Sequence, residues 1–260
     1  MNRIGFIGGG ALAESIVRGI SGKIFKPSDI FICEIRAARC EELITRYGVN
    51  ASTEINFLDK IDMLIVAVKP KDAEKTFAAL ENKIPAQVII TYTVAGLKLA
   101  SVEKFFPDNK IVRIMPNVAV SVGESMTAYT LNKNAAQIGD VIKNFWSTLG
   151  RAVEVEEKLM DAVTGLSGSG PAYAFLMIDA LSDGGVAAGL SRAQAIELAA
   201  QTLLGAAKMV LAGEHPDVLR DKVTSPAGTT IEGVRILERG AVRSSLIEAV
   251  LAATEKSARL

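Results

Sequence analysis

A short stretch near the N-terminus constrains this chain more than any other. Ile4-Gly5-Phe6-Ile7 has the composition of a short buried strand, and Gly8-Gly9-Gly10-Ala11-Leu12-Ala13 follows it directly, ahead of an amphipathic stretch that runs to about Ile20. The spacing is Gly-x-Gly-x-x-Ala between a strand and a helix. Gly8 allows the tight turn, Gly10 lets a pyrophosphate approach the backbone, and Ala13 lets the helix pack closely on the strand. A glycine spacing alone is weak evidence. Its strand–turn–helix setting makes a dinucleotide-binding βαβ unit the expectation, against a merely tight βα turn.

The chain beyond it repeats the same alternation. Apolar strands are expected at Asp29–Glu34, Asp62–Val68, Gln87–Thr91 and Ile111–Ile114, with helical patterns at Ala38–Tyr47, Lys71–Leu80 and Leu99–Phe106. That order is the signature of a parallel, doubly wound sheet. Ala67-Val68-Lys69-Pro70 would lie at the carboxyl edge, where such sheets bind ligands. Thr93-Val94-Ala95-Gly96 follows the next strand, and Met115-Pro116-Asn117 the one after. Glu34 closes the second strand with Arg36 just beyond it. An acid there favours ribose hydroxyls, and an arginine can hold a 2′-phosphate. Both are present, so the residues leave NADH and NADPH open. Arg36 and Arg39 could equally be solvated charges on the next helix. Asn117 could orient a nicotinamide amide or a substrate, or serve only as a turn residue after proline. Thr127–Leu131 reads as a further strand, Asn134 as the cap of a helix to about Thr148, and Val153–Val155 as a last short strand. Phe145 and Trp146 read as core.

From Glu157 onward no strand is expected. Helices are read at Lys158–Gly165, from Pro171 to about Ala188, from Ser191 to about Leu211, and over Val242–Ser257. The fold class is therefore α/β: a Rossmann-type doubly wound sheet over 1–155 and an all-α domain over 156–260. Gly184, Gly185, Ala187, Ala188, Ala199, Ala200, Ala206 and Ala207 put small side chains on otherwise apolar helices. About one hundred residues offer too few layers to cover such helices, so a second subunit is expected against them. His215 precedes Pro216 in an expected loop and is given no catalytic role.

The second informative stretch is Lys222-Val-Thr-Ser-Pro-Ala-Gly-Thr-Thr-Ile-Glu232. Ser225 suits an N-cap and Pro226 a first helical position. Gly228, Thr229 and Thr230 then fall in the first turn, where backbone N–H groups lack partners and the dipole favours negative charge. With three hydroxyls close by, this is a plausible seat for a small carboxylate. The plainer alternative is a well-capped surface helix.

Composition narrows the field. Among 260 residues, 29 positive side chains balance 29 negative ones, and no basic run appears, which argues against a nucleic-acid partner. Cys33 and Cys40 form no metal or redox spacing, no metal site is expected, and the thiols fit a reducing cytosol. No signal peptide is read, and the nearest approach to a membrane span, Pro171–Leu190, carries Asp179 and Asp183. A cytoplasmic protein is the expectation.

Ser225-Pro-Ala-Gly-Thr-Thr-Ile-Glu232 closely resembles the signature of pyrroline-5-carboxylate reductases, commonly Ser-Pro-Gly-Gly-Thr-Thr-Ile-Glu. Arg113-Ile-Met-Pro-Asn117, Ser167-Gly-Ser-Gly-Pro-Ala-Tyr173 and Ala207-Lys-Met-Val-Leu211 resemble the same family in the same order. The resemblance implies reduction of the imine of 1-pyrroline-5-carboxylate to L-proline, the last step of proline biosynthesis. It implies NADPH as the cofactor, with NADH as the alternative; the small-residue helices give the expected homodimer through the helical domain, or a higher homo-oligomer. The Ser225–Thr230 turn would then hold the substrate carboxylate and ring nitrogen. Ser225 and Thr230 are the expected catalytic residues, and Ser225, Gly228, Thr229, Thr230 and Asn117 the expected substrate contacts. The expected cofactor contacts are Gly8, Gly10, Ala11, Leu12, Arg36, Asn56, Ala67, Val68, Lys69, Pro70, Ala95, Gly96 and Asn117. Two departures stand out. Ala227 replaces the first of two glycines, a methyl that a helical position would bear easily. Asn117-Val-Ala-Val120 stands where the family usually has Asn-Thr-Pro-Ala.

Two other readings compete. β-Hydroxyacid dehydrogenases share the two-domain plan and use Gly-x-x-Gly-x-Gly-x-x-x-Lys-x-x-x-Asn. Here the glycines are Gly165, Gly168 and Gly170, but Ala174 takes the lysine position and Ile178 the asparagine position. A carbonyl needs an acid to protonate its oxygen, whereas an imine can arrive protonated. The missing lysine favours the imine. A non-catalytic dinucleotide sensor would leave the Ser225–Thr230 turn without a task.

Overall fold

Strand β1 (Ile4–Ile7) is buried throughout because its two faces feed two cores. A computed structural model describes all residues, 1–260. After β1 come α1 (Ala11–Ile20), β2 (Ile30–Cys33), α2 (Ala37–Tyr47), β3 (Asn50–Ser52), β4 (Met63–Val66), α3 (Pro70–Leu80), β5 (Ile89–Tyr92), α4 (Leu99–Glu103) and β6 (Ile111–Met115). Then follow β7 (Ser125–Leu131), α5 (Gly139–Ser147), β8 (Gly150–Glu154), α6 (Met160–Val163), α7 (Gly170–Ala187), α8 (Arg192–Leu211), α9 (Pro216–Lys222), α10 (Thr229–Arg239) and α11 (Val242–Ala258).

The eight strands form one sheet in the order β3-β2-β1-β4-β5-β6-β7-β8. All neighbours are parallel except β6 and β7. Side chains alternate across the strands, so Ile4, Phe6, Met63 and Ile65 join α1 and α5 on one face, around Ile16, Val17 and Trp146. Ile7, Leu64, Val66 and Ile90 join α3 and α4 on the other, around Phe77 and Val102. Each such side chain, fully buried, contributes roughly 1.5–3 kcal/mol. The strand order reverses between β1 and β4, and their carboxyl ends open there. This is the crevice where doubly wound sheets take their ligands.

The chain divides into two units: Met1–Ser169 with Ala252–Leu260, and Gly170–Leu251. The expected boundary after residue 155 thus falls inside the first unit. Residues 156–169 belong there because Met160 packs with Met115 and Ala128, and Arg113 on β6 pairs with Glu157 at 3.3 Å. The chain end returns through Ser257, whose hydroxyl donates to Asp161 at 2.7 Å. In the second unit α7 packs on α8, with Ser182, Ala195 and Ala199 buried. Ser191 and Gln194 form a reciprocal capping box at the start of α8.

Several local expectations are corrected. β3 had no sequence signal, being three half-polar residues. Asn132, not Asn134, caps the turn after β7, because its Oδ1 accepts from Ala135 N–H while Asn134 reaches back to Pro107 O. His215 does not lie in a plain loop: its ring caps α9 by accepting from Asp217 N–H, and Pro216 takes the first helical position. No helix is long and apolar enough to cross a membrane.

Candidate active site

The glycine turn sits at the switch point, as its spacing predicts. Gly8 has φ +96°, and a Cβ there would lie 2.6 Å from the carbonyl oxygen of Ala67. Only glycine fits, and the same close approach brings Gly8 together with Ala67 and Val68 from the end of β4. Gly8 N–H donates to Cys33 O at 2.8 Å, which ties the turn to the end of β2. Gly10 caps α1 without a side chain, and a Cβ there would meet nothing within 4 Å. The N–H groups of Ala11 and Leu12 therefore open onto free space at the positive end of a helix, which suits a pyrophosphate. Lys69 and Pro70 start α3 beside it.

Beyond β2 the charges are arranged in a way the sequence left open. Glu34 is buried: its Oε2 accepts Gly9 N–H at 2.9 Å, and its Oε1 accepts Arg36 N–H at 3.1 Å and Arg36 Nε at 2.9 Å. Burial alone would raise the Glu34 carboxyl, but the Arg36 guanidinium and the two N–H groups outweigh it and hold it below its ordinary value. Arg36 is largely exposed, with its outer nitrogens free of Glu34. Arg39 is not a solvated charge. It donates Nε to Gly9 O at 2.9 Å and pairs with Glu14 and, at 2.6 Å, with Glu42. Glu14 also takes Arg46 at 2.6 Å and the Tyr47 hydroxyl at 2.9 Å. The Arg39 hydrogen bond is the largest influence holding the Glu14 carboxyl below its ordinary value. The sequence carried a sign of this. Arg39 and Arg46 lie two turns apart on one face of α2, and an acid in the first turns of α1 needs such partners.

The remaining expected cofactor residues are more scattered. Ala95 packs beside Met115 and Met160. Gly96 turns at φ +75° against Leu260. Asn56 lies exposed on the loop after β3, where its carbonyl accepts from Lys60 Nζ. Asn117 has both ends of its side chain in use: Oδ1 accepts Ala119 N–H at 3.0 Å and Nδ2 donates to Ser167 O at 3.1 Å. It caps the turn Val118–Val122 and pins the π-turn Thr164–Gly168.

The Ser225–Thr230 turn differs from the expectation in one instructive respect. The helix begins at Thr229, with Gly228 as its cap, so Ser225 and Pro226 are not the N-cap and first helical residue. They open a tight turn closed by Gly228 N–H to Ser225 O at 3.1 Å. Proline's fixed φ serves the second position of such a turn as well as it serves a helix start. A turn of the second type takes positive φ at its third position, and Ala227 sits there at +55°. Its methyl is therefore not at a helical position. A Cβ on Gly228 would lie 2.3 Å from Ser225 Oγ, so any larger residue there would push the Ser225 hydroxyl out of its present position. α10 starts without any side-chain cap. The hydroxyls of Ser225, Thr229 and Thr230 make no other hydrogen bond in the protein. Ser225 and Thr229 are exposed and Thr230 half-buried. Unused N–H groups and unused hydroxyls lie at this one helix end. No cluster of metal-ligating side chains occurs.

Comparison with known proteins agrees across the whole length. Residues 157–260 match the pyrroline-5-carboxylate reductase dimerisation family, and residues 3–95 match the family described as NADP oxidoreductase, coenzyme F420-dependent. The pyrroline-5-carboxylate reductase of Synechocystis is 45% identical over 99% of this chain and 98% of its own. That of Arabidopsis thaliana is 42% identical over 99% and 95%. The crystal structure of Plasmodium falciparum pyrroline carboxylate reductase with NADP bound superposes with a TM-score of 0.88 at 29% identity, over 99% of this chain and 97% of that one. With sequence relatives of this similarity over nearly every residue, the chain belongs to the pyrroline-5-carboxylate reductase family.

Proposed function

We infer that this protein is a pyrroline-5-carboxylate reductase that reduces the imine of 1-pyrroline-5-carboxylate to L-proline with a nicotinamide dinucleotide. The observation that carries this is the uncapped start of α10, with three unengaged hydroxyls around it, in a chain whose first unit presents a dinucleotide turn. The residues fit that cofactor: space over Gly10, free N–H groups at the start of α1, and the carbonyl edge at Ala67. When bound, the dinucleotide supplies a hydride. Ala11 and Leu12 would hold its pyrophosphate, and Arg36 a 2′-phosphate, which favours NADPH over NADH.

The N–H groups of Thr229 and Thr230 and the Ser225 hydroxyl hold the substrate carboxylate in this reading. The Thr230 hydroxyl orients the ring nitrogen. A protonated imine needs no acid at the position where a carbonyl-reducing relative would place lysine, and Ala174 stands there on α7. Asn117 contributes by fixing the backbone beyond β6, with its amide already engaged. The helical unit supplies the contact between subunits, in keeping with the dimerisation family that matches it. The test is direct: purified protein with pyrroline-5-carboxylate should oxidise NADPH faster than NADH at equal concentration, followed by absorbance. No oxidation of either would overturn the activity. A faster reaction with NADH would overturn the cofactor choice alone.

A further inference from the structure

The residue between the two signature glycines is held from both sides by side chains. Glu34 Oε2 takes the N–H of Gly9, and Arg39 Nε donates to its carbonyl, each at 2.9 Å. Gly9 is buried, and a Cβ there would lie 2.9 Å from Leu43 Cδ1 on α2 and 3.2 Å from Glu34 Cβ. One peptide unit of the turn is therefore clamped against the β2–α2 connection. Arg39 has each guanidinium nitrogen engaged, by Gly9, Glu42 and Glu14. Three of its five N–H donors are committed inside the protein, and its charge is shared between two carboxylates.

The charges around the clamp balance. Glu14, Glu34 and Glu42 face Arg36, Arg39 and Arg46. Glu14 lies in the first turn of α1, just behind the anion-binding helix end. Left unpaired, it would oppose any pyrophosphate at that end, since like charges this near repel even across a well-solvated surface.

We propose that Arg39 is a positioning residue for the dinucleotide. It fixes the Gly9 peptide and cancels the Glu14 charge, so that the start of α1 accepts a pyrophosphate. It acts on NADPH and NADH alike, whereas the outer nitrogens of Arg36 distinguish the two through the 2′-phosphate. This rests on the dinucleotide-dependent function inferred above.

The test measures equilibrium binding of NADPH and of NADH to the full-length protein, with amide exchange of the dinucleotide-free protein as a second readout. Arg39→Met should weaken both cofactors by a similar factor, about tenfold or more, the loss expected for a hydrogen bond from a charged group. Exchange at Gly9 should quicken before any cofactor is added. At saturating cofactor kcat should stay within about twofold, because only binding has been touched. Arg39→Lys keeps the charge without the three-way reach; it should fall between wild type and Arg39→Met, and it carries the test should Arg39→Met not fold. Unchanged binding of both cofactors by the variants, or a loss confined to NADPH, would overturn the proposal while leaving the reductase reading intact. A wild-type protein that binds neither dinucleotide would overturn both.

Discussion

Thr230 occupies the second position of α10, half-buried, with a hydroxyl that no other group of the protein uses. Thr230→Val keeps its shape. If that hydroxyl orients the ring nitrogen, kcat/KM for the imine should fall about tenfold or more, with dinucleotide binding unchanged. Normal turnover by this variant would reduce the helix start to an ordinary one. Arg36→Ala should raise the KM for NADPH more than that for NADH, because only one cofactor carries the 2′-phosphate; equal effects would remove Arg36 from the role. Ala227 offers a stability test instead. A left-handed alanine costs about 1–2 kcal/mol, and glycine there returns part of that as unfolded-state entropy, about 0.4–1 kcal/mol. Ala227→Gly should therefore stabilise modestly, by about 0.5 kcal/mol, seen as a rise of roughly 1–2 °C in Tm. A fall in Tm would show that the turn tolerates the methyl without strain. The positive φ of Ala227 could not be read from Ser-Pro-Ala-Gly alone, since proline starts a helix and enters a turn with the same φ.

At the scale of elements, α1 and α2 depend on each other through Glu14. The Arg39 hydrogen bond leads the influences that depress the Glu14 carboxyl below its ordinary value of 4.5. A depressed carboxyl stabilises the fold fully above its unfolded pKa, and that contribution is lost as pH falls through the folded value. The first unit should accordingly lose stability as pH drops below about 4.5, with Glu34 contributing in the same sense. Glu14→Gln should flatten that acid limb of a melting curve against pH; an unchanged limb would show the α1–α2 charges to be idle. The helices and central strands were legible because their apolar periods are long and their stops are strong: Pro70 opens α3, Gly189 follows α7, and Ser191 caps α8. β3 and α9 were not. Asn50-Ala51-Ser52 is a strand only because β2 offers it an edge, and α9 is a short helix whose cap is a histidine ring.

At the scale of the molecule, the second unit has surface it cannot cover alone. Phe175, Leu176, Leu198, Leu211 and Leu251 are all more than half exposed. Leu198, Ala200 and Leu204 of α8 line a groove of about 630 Å³ with Leu190 from the turn before it. So much apolar surface on adjacent helices marks an interface. The protein should sediment as a dimer or larger at micromolar concentration, and Leu176→Glu or Ala200→Glu should dissociate or precipitate it. A stable wild-type monomer would sink this expectation.

The sequence by itself determined the fold class, the dinucleotide turn and the resemblance that led to the family. These rest on local rules: a period of two or 3.6, a glycine where no Cβ fits, a proline or serine at a helix start. Only the tertiary structure decided which charges meet. Glu34, Arg36 and Arg39 lie within six residues, yet whether each faces a phosphate, a neighbour or water depends on Gly9 and Glu14, which precede them by some twenty residues or more. Pairing of that kind is a property of packed elements, and no local period encodes it.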